Sequence, residues 1–131
     1  MKKTFWLFAL LIVLAALAGC GGSAADQPGA TVETYLQAIT AGDQDRMATV
    51  SCAAWEETAR GEVAAFLGVK ASLVDVDCTA RSTGGDETVV DCKGKIVASY
   101  NGEDSDFPLD GRAYRVIRED GEWRMCGYGE K

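Results

Sequence analysis

The side chains with the clearest chemistry in this sequence are its five cysteines, because it contains no histidine. Cys20 stands at the end of an apolar run, and the others are Cys52, Cys78, Cys92 and Cys126. They form no C-x-x-C pair and are widely spaced, which disfavours a zinc site. An even number of cysteines in a small exported domain predicts two disulfides, with three pairings open.

Paired carboxylates are the second group that could do chemistry. Asp75 and Asp77 alternate along a β-rich run, and folding the chain into a hairpin sets them opposite Lys95 and Lys93. This pairing predicts a solvated strand face rather than a metal site. The acidic stretch 101–106 lacks the spacing of a calcium loop and is expected to be a hydrated hairpin tip. We therefore expect no metal, no cofactor and no carboxylate that acts as a general base.

The same hairpin reduces the number of possible cysteine pairings. With Gly85 at the turn, Cys78 lies opposite Cys92, and the apolar residues of both strands share one face. A shift of one residue would move every partner to the wrong face. The register therefore predicts a Cys78–Cys92 disulfide, which leaves Cys52 for Cys126.

The first twenty residues have the features of a targeting signal. Lys2 and Lys3 precede an apolar run over residues 5–18, which matches a signal-peptide core and is too short to span a bilayer. The order "LAGC" at residues 17–20 resembles the lipobox of bacterial lipoproteins. That resemblance implies acylation of the Cys20 thiol, cleavage before it and a lipid anchor in the cell membrane, facing the extracytoplasmic side. An ordinary secretory signal and an uncleaved anchor are the alternatives.

The composition divides the chain into three parts. Residues 1–19 are expected to be the signal peptide, residues 20–30 a flexible lipid-anchored tether, and residues 31–131 one domain. A tether of this length has an end-to-end distance of roughly 16–19 Å, which holds a domain just clear of the headgroups. The formal net charge of −7 makes nucleic acid a poor partner.

The apolar pattern of the domain predicts helices first and strands after them. Apolar residues recur at helical spacing over residues 32–39, and Gly42 and Asp43 suit the end of this helix and the start of the next. A third helical stretch, with a break expected near Gly61, precedes a meander of four antiparallel strands within residues 72–128. This order is typical of an α+β domain whose helices cover one face of a curved sheet.

The segments "ATVETYLQAITAGDQDRMATV" and "YRVIREDGEWRMCGY" resemble the opening helix pair and the closing hairpin of the nuclear-transport-factor-2-like families. These families belong to the cystatin-like superfamily, and the likeness covers about residues 28–128. It implies a cone, in which a bent sheet wraps helices and leaves a pocket at the wide end. It also places Cys126 in the central strand, so that a Cys52–Cys126 bond would join the helices to the sheet.

This resemblance leaves the function open, because the fold carries enzymes, ligand binders and scaffolds. Its enzymes use an Asp or His base inside the cone, and no Asp of this sequence is placed there by its pattern. We therefore expect a non-catalytic domain whose partner is a small ligand or an envelope protein. A structural accessory domain of an envelope complex is the alternative, and an isomerase or hydrolase is less favoured. The aromatic residues expected to line a pocket are Tyr35, Trp55, Phe66, Tyr100 and Tyr114.

The lipobox resemblance is tested by the substitution Cys20→Ser. We expect the variant to accumulate as an uncleaved, unlipidated precursor, because the lipoprotein peptidase acts after acylation of the thiol. Intact mass and detergent phase separation measure both properties. Wild-type protein found in the aqueous phase with a free, unmodified N-terminus would contradict the assignment.

Overall fold

The computed structural model describes residues 27–82 and 84–131, so the expected signal peptide, Cys20 and most of the tether lie outside the described residues. Three helices precede five antiparallel strands in this part of the chain. The helices are α1 (Pro28–Ala41), α2 (Gln44–Val50) and α3 (Glu56–Ala65), and the strands are β1 (Lys70–Ala80), β2 (Glu87–Tyr100), β3 (Glu103–Pro108), β4 (Arg112–Glu119) and β5 (Glu122–Glu130). None of these helices is long and apolar enough to cross a membrane. The α+β class is confirmed, with one strand more than expected.

The ends of the helices follow local sequence signals. α1 begins at Pro28, ahead of the domain boundary expected at residue 31, because proline is favoured in the first turn of a helix. Gly42 ends α1 with a φ of 67°, and the side chain of Asp43 caps α2, as the pattern predicts. α3 runs through Gly61 without the expected break. A single glycine lowers helix stability by only about 1 kcal/mol, which packing of the helix can outweigh.

The third expected strand is in fact two strands, which corrects the count of four. β3 pairs with the second half of β2, and β4 pairs with its first half. Leu109 lies between them and is buried. The acidic residues expected at a hydrated tip therefore form β3, and the turn consists of Asn101 and Gly102, with φ angles of 52° and 82°. Positive φ at both positions is the geometry of a two-residue hairpin turn.

The register predicted for the first hairpin holds near the turn and shifts farther from it. Cys78 faces Cys92 as predicted, whereas Val74 faces Lys95 rather than Ile96. The shift comes from a bulge in β1 between these two parts of the strand. A bulge adds one residue to one strand and bends it, which an alternating sequence pattern does not reveal.

The bulge depends on Gly94. This residue has a φ of 88°, and Asp75 across from it has a φ of 53°. A Cβ at Gly94 would lie 2.5 Å from the carbonyl oxygens of Val74 and Asp75, so only glycine fits. The predicted pairing of Asp75 with Lys95 is wrong, because the bulge sets Val74 opposite Lys95, whose Nζ binds the carboxylate of Asp106 at 2.5 Å.

The closing hairpin turns on two residues. Asp120 and Gly121 form the turn, with φ angles of 54° and 81°. A further register shift lies between β4 and β5, so that Tyr114 faces Tyr128. This shift brings two tyrosines together at one level of the sheet.

The cysteines are joined in the two pairs that the sequence predicts. One disulfide links Cys78 to Cys92 across the first hairpin, and the other links Cys52 to Cys126. The Cys52 N–H also donates a 2.8 Å hydrogen bond to the carbonyl of Met125. The chain after α2 is thus held against the edge of β5 by one covalent bond and one hydrogen bond.

The helical layer and the sheet share one apolar core. Its largest fully buried side chains come from both layers and include Tyr35, Met47, Val63, Tyr114, Val116 and Met125.

Gly29 allows α1 to lie directly on β1. A Cβ at this position would be 2.2 Å from the carbonyl oxygen of Cys78. One turn along α1, a carboxylate oxygen of Glu33 accepts a 3.0 Å hydrogen bond from the Cys78 N–H. The backbone of Cys78 is therefore covered by the helix, which closes this edge of the sheet.

Replacing Gly29 by alanine should separate α1 from β1. We expect Gly29→Ala to lower the free energy of unfolding by about 1–3 kcal/mol, the range for overpacked sites. Gly61→Ala is the matched control, since nothing lies within 4 Å of its Cβ position. In the middle of α3 it should raise stability by about 0.5–1 kcal/mol. Urea unfolding measures both, and equal effects would contradict the close approach.

Candidate functional site

A cavity of about 440 Å³ opens between the helical layer and the sheet. Residues of α1, α3, β2, β3, β4 and β5 line it. Most of the lining surface is apolar, contributed by side chains such as Leu36, Ile39, Phe66, Val69, Ile96 and Ala98.

Four of the five aromatic residues expected to line a pocket line this cavity, namely Tyr35, Phe66, Tyr100 and Tyr114. Tyr100 lies at the mouth, where its residue is 66% exposed. Trp55 is not among the lining residues. Its indole Nε1 donates a 2.9 Å hydrogen bond to the hydroxyl of Tyr35, so it supports the wall of the cavity instead of forming it.

Glu62 is the acceptor around which the polar side chains at one end of the cavity are arranged. Its Oε2 accepts a 2.5 Å hydrogen bond from the Tyr35 hydroxyl, and its Oε1 accepts a 2.6 Å hydrogen bond from the Tyr128 hydroxyl. These lengths are those of strong hydrogen bonds to a carboxylate. Each oxygen retains one further acceptor position, which a bound molecule can use.

The helical spacing of α3 directs Glu62 toward the cavity. Ala59, Val63 and Phe66 recur on one face of the helix, and Glu62 falls within that stripe. Glu62 is not among the site residues that the sequence predicts, because the family resemblance implies an Asp or His at this kind of site. The available signal was an acidic side chain at a position where the helical pattern calls for an apolar one.

Burial raises the pKa of the phenols that donate to Glu62. It is the main cause that raises the pKa of Tyr35 far above its ordinary value, and the hydrogen bond to Glu62 adds to the rise. The pKa of Tyr128 is raised to about 12, again by burial first and by Glu62 second. Both hydroxyls therefore remain hydrogen-bond donors at every physiological pH.

A cation and a third tyrosine complete the polar end of the cavity. The Arg112 guanidinium lies 4.7 Å from the centre of the Tyr128 ring, within cation–π range. Burial raises the pKa of Tyr114, and Arg112 partly opposes that rise. The Tyr114 hydroxyl is buried and has no hydrogen-bond partner of good geometry within residues 27–82 and 84–131.

This arrangement has a limited chemical repertoire. A carboxylate held by two phenols in a mainly apolar cavity can accept a hydrogen bond from a bound molecule or take a proton from one. Arg112 places a positive charge at the same end. The described residues contain no group of three His, Cys, Asp or Glu side chains that could hold a metal ion.

Comparison with known proteins bears on the fold. No family model and no curated protein matches the sequence. A solved SEC-C motif containing protein from Rhodopseudomonas palustris aligns with 82% of this chain and 80% of its own, at 12% identity and a TM-score of 0.57.

Two further solved structures are similar. A candidate polyketide cyclase from Xanthomonas campestris pv. campestris covers 80% of this chain and 93% of its own, at 14% identity and a TM-score of 0.54. A candidate dehydratase of the nuclear-transport-factor-2-like family from Streptomyces avermitilis covers 79% of this chain and 91% of its own, at 15% identity and a TM-score of 0.54. Likeness at these identities shows the fold alone. The domain thus has the nuclear-transport-factor-2-like fold that the sequence resemblance implies.

The contact between Glu62 and the phenols predicts a change in tyrosine titration. Glu62→Gln should lower the pKa of Tyr128 from about 12 toward the ordinary value, because a carboxylate opposes formation of a phenolate. Ultraviolet absorbance of the phenolate measures this. Glu57→Gln, exposed on the same helix, should leave the titration unchanged.

The same shift sets the direction of the pH dependence of stability. A pKa that is raised on folding contributes stability below the unfolded pKa of about 10, and this contribution is lost as the pH approaches 12. The loss should be smaller in Glu62→Gln than in the wild type. Identical tyrosine titrations in Glu62→Gln and Glu57→Gln would show that the carboxylate does not act on the phenols.

Proposed function

We propose that this domain binds a small, mainly apolar molecule in the cavity and holds one polar end of it on the carboxylate of Glu62. The observation that carries the proposal is a fixed carboxylate at one end of an apolar cavity of about 440 Å³. This volume lies within the ~300–1,000 Å³ range of small-molecule sites. Few polar groups among many apolar ones is also the usual composition of such sites.

The polar end of the cavity indicates which group the ligand presents there. Tyr35 and Tyr128 already donate to Glu62, so a ligand contributes a further donor, such as a hydroxyl or an amine, to the remaining acceptor positions. Its apolar body extends toward the mouth. There it would cover Tyr100 and Phe107, which are 66% and 44% exposed in the free protein.

We also propose that the domain acts at the outer side of a bacterial cell membrane, held by acyl chains on Cys20. The lipobox resemblance at residues 17–20 supports this, and two disulfides suit an oxidising compartment outside the cytoplasm. At ~3.3–3.6 Å per residue, the short stretch between Cys20 and Pro28 keeps the cavity near the membrane surface.

General-base catalysis is a second candidate function, and the same residue supports it. A carboxylate at the end of an apolar cavity is a suitable acceptor for a proton from a bound substrate. Two phenols and Arg112 at that end are donors that stabilise negative charge developing on a substrate. Two similar folds carry the names cyclase and dehydratase, but at 14% and 15% identity they add only the fold. Binding is preferred because it needs only the acceptor positions that Glu62 retains, whereas catalysis also needs a substrate proton to be held at one of them.

Native mass spectrometry of protein purified from its own host tests the binding function. Wild-type protein should carry the added mass of a small molecule. Ala65→Trp places a large ring at a lining position and should reduce the bound fraction at least about tenfold, since the ring then occupies part of the cavity volume. Ala64→Trp is the matched control, because Ala64 is the exposed neighbour on α3 and does not line the cavity.

Equal occupancy in both tryptophan variants, or no bound molecule in any protein, would contradict the binding function. The enzyme alternative has its own outcome in the same experiment. If the wild type converts the bound molecule on incubation while Glu62→Gln retains it unchanged, catalysis rather than binding is the function of the cavity.

A further inference from the structure

The outer edge of β3 is an open edge of the sheet in the described part of the chain. β3 pairs with β2 on one side, and no described strand pairs with its other side. Two other points on the sheet edges are covered: Gly29 and Glu33 of α1 lie against Cys78 of β1, and the Cys52 N–H donates to the carbonyl of Met125 in β5. By contrast, every residue of β3 is exposed.

The hairpin register shows which backbone groups of β3 are free. The two-residue turn makes Tyr100 and Glu103 a hydrogen-bonded pair, and every second residue of β3 then bonds to β2. The N–H of Leu109 continues this pattern by donating to the carbonyl of Gly94 at 3.0 Å.

The intervening residues direct their backbone away from the sheet. Asp104 and Asp106 present a free N–H and a free carbonyl each on the outer edge, and Pro108 presents a carbonyl. Proline at such an outward position removes no hydrogen bond from the sheet. The edge is therefore short, and its backbone groups point in one direction.

The two faces of this edge differ in chemistry. Ser105 and Phe107 lie on the face that lines the cavity, near the exposed ring of Tyr100. Because side chains alternate along a strand, Asp104 and Asp106 lie on the opposite face. A strand added here would place alternate side chains beside an aromatic rim and beside two carboxylates.

Charge decides what kind of strand fits. Three of the six residues of β3 are acidic, namely Glu103, Asp104 and Asp106, and the whole chain has a formal net charge of −7. Two copies of β3 paired edge to edge would set like charges opposite one another, which is destabilising. A basic strand instead meets the carboxylates of Asp104 and Asp106 on one face, where Lys95 already pairs with Asp106 and Asp104 has no ion-pair partner among the described residues.

We propose that β3 binds an extended peptide of alternating basic and apolar residues as an additional antiparallel strand. The backbone groups of Asp104 and Asp106 pair with the basic residues, whose side chains then lie beside the two carboxylates. The apolar residues contact Phe107 and Tyr100 at the mouth of the cavity. This site is separate from the binding position on Glu62 and does not rest on the proposed function of the cavity.

Backbone-methylated peptides test the geometry of this site. The probe is a fluorescent eight-residue peptide of alternating lysine and valine, titrated by anisotropy into lipidated protein in neutral detergent micelles, with empty micelles as the blank. In the proposed register the lysine N–H groups face β3, and the valine N–H groups face away. Methylation of the lysine backbone nitrogens should weaken binding at least about tenfold, since two or more hydrogen bonds are lost. Methylation at valine should leave binding unchanged, and any other order of affinities would overturn the proposal.

Charge-reversed variants test the position of the site. Asp104→Lys should weaken binding of the unmethylated peptide roughly three- to tenfold, the effect expected of exposed charges. Asp86→Lys is the matched control, because Asp86 is an exposed acid in the turn between β1 and β2. Thermal melts check that both variants are folded.

Three results would overturn the proposal. The first is equal binding by Asp104→Lys and the wild type. The second is loss of binding in Ala65→Trp with normal binding in Asp104→Lys, which would assign the peptide to the cavity. The third is a wild-type dimer in light scattering that Asp104→Lys converts to a monomer, which would make a second copy the occupant of β3.

Discussion

The organisation of this domain depends on one constraint, the placing of the Glu62 carboxylate inside a largely apolar cavity. A half-buried charged group is stabilised by hydrogen bonds or opposite charge in place of the water it loses. Here two phenols supply the hydrogen bonds, one from Tyr35 on α1 and one from Tyr128 on β5. Because Glu62 itself belongs to α3, the network joins two helices to the sheet. Trp55 extends it by donating to Tyr35, so that the polar end of the cavity is held from several elements at once.

The sheet that carries part of this network has two irregularities in its strand pairing. The bulge in β1 lies opposite Gly94 of the long strand β2, whose first half pairs with β4 and whose second half pairs with β3. The register shift in the closing hairpin sets Tyr114 opposite Tyr128. A regular meander would carry these tyrosines at other levels. Strands that line the cavity thus depart from ideal pairing, and Gly94 of β2 permits the bulge in β1.

The cavity and the outer edge of β3 share a boundary at the mouth. Phe107 lies in β3 and also lines the cavity, and Tyr100 ends the strand that pairs with it. Aromatic side chains exposed on one rim can be covered by a small molecule from the cavity side or by a strand from the edge side. Elsewhere on the sheet, ion pairs such as that of Arg81 with Asp91, which lowers the pKa of Asp91, leave a solvated polar surface.

The sequence by itself determined the order of helices and strands, the caps of α1 and α2, the α+β class and both disulfides. These features depend on local signals or on one hairpin register, which periodicity and turn residues specify over short distances. It did not reveal the bulge or the interruption that creates β3, because an alternating pattern tolerates both. Only the tertiary structure decided the candidate site. Glu62, Tyr35 and Tyr128 lie far apart in sequence. No local pattern indicates that a carboxylate on an apolar helix face accepts hydrogen bonds from two distant phenols.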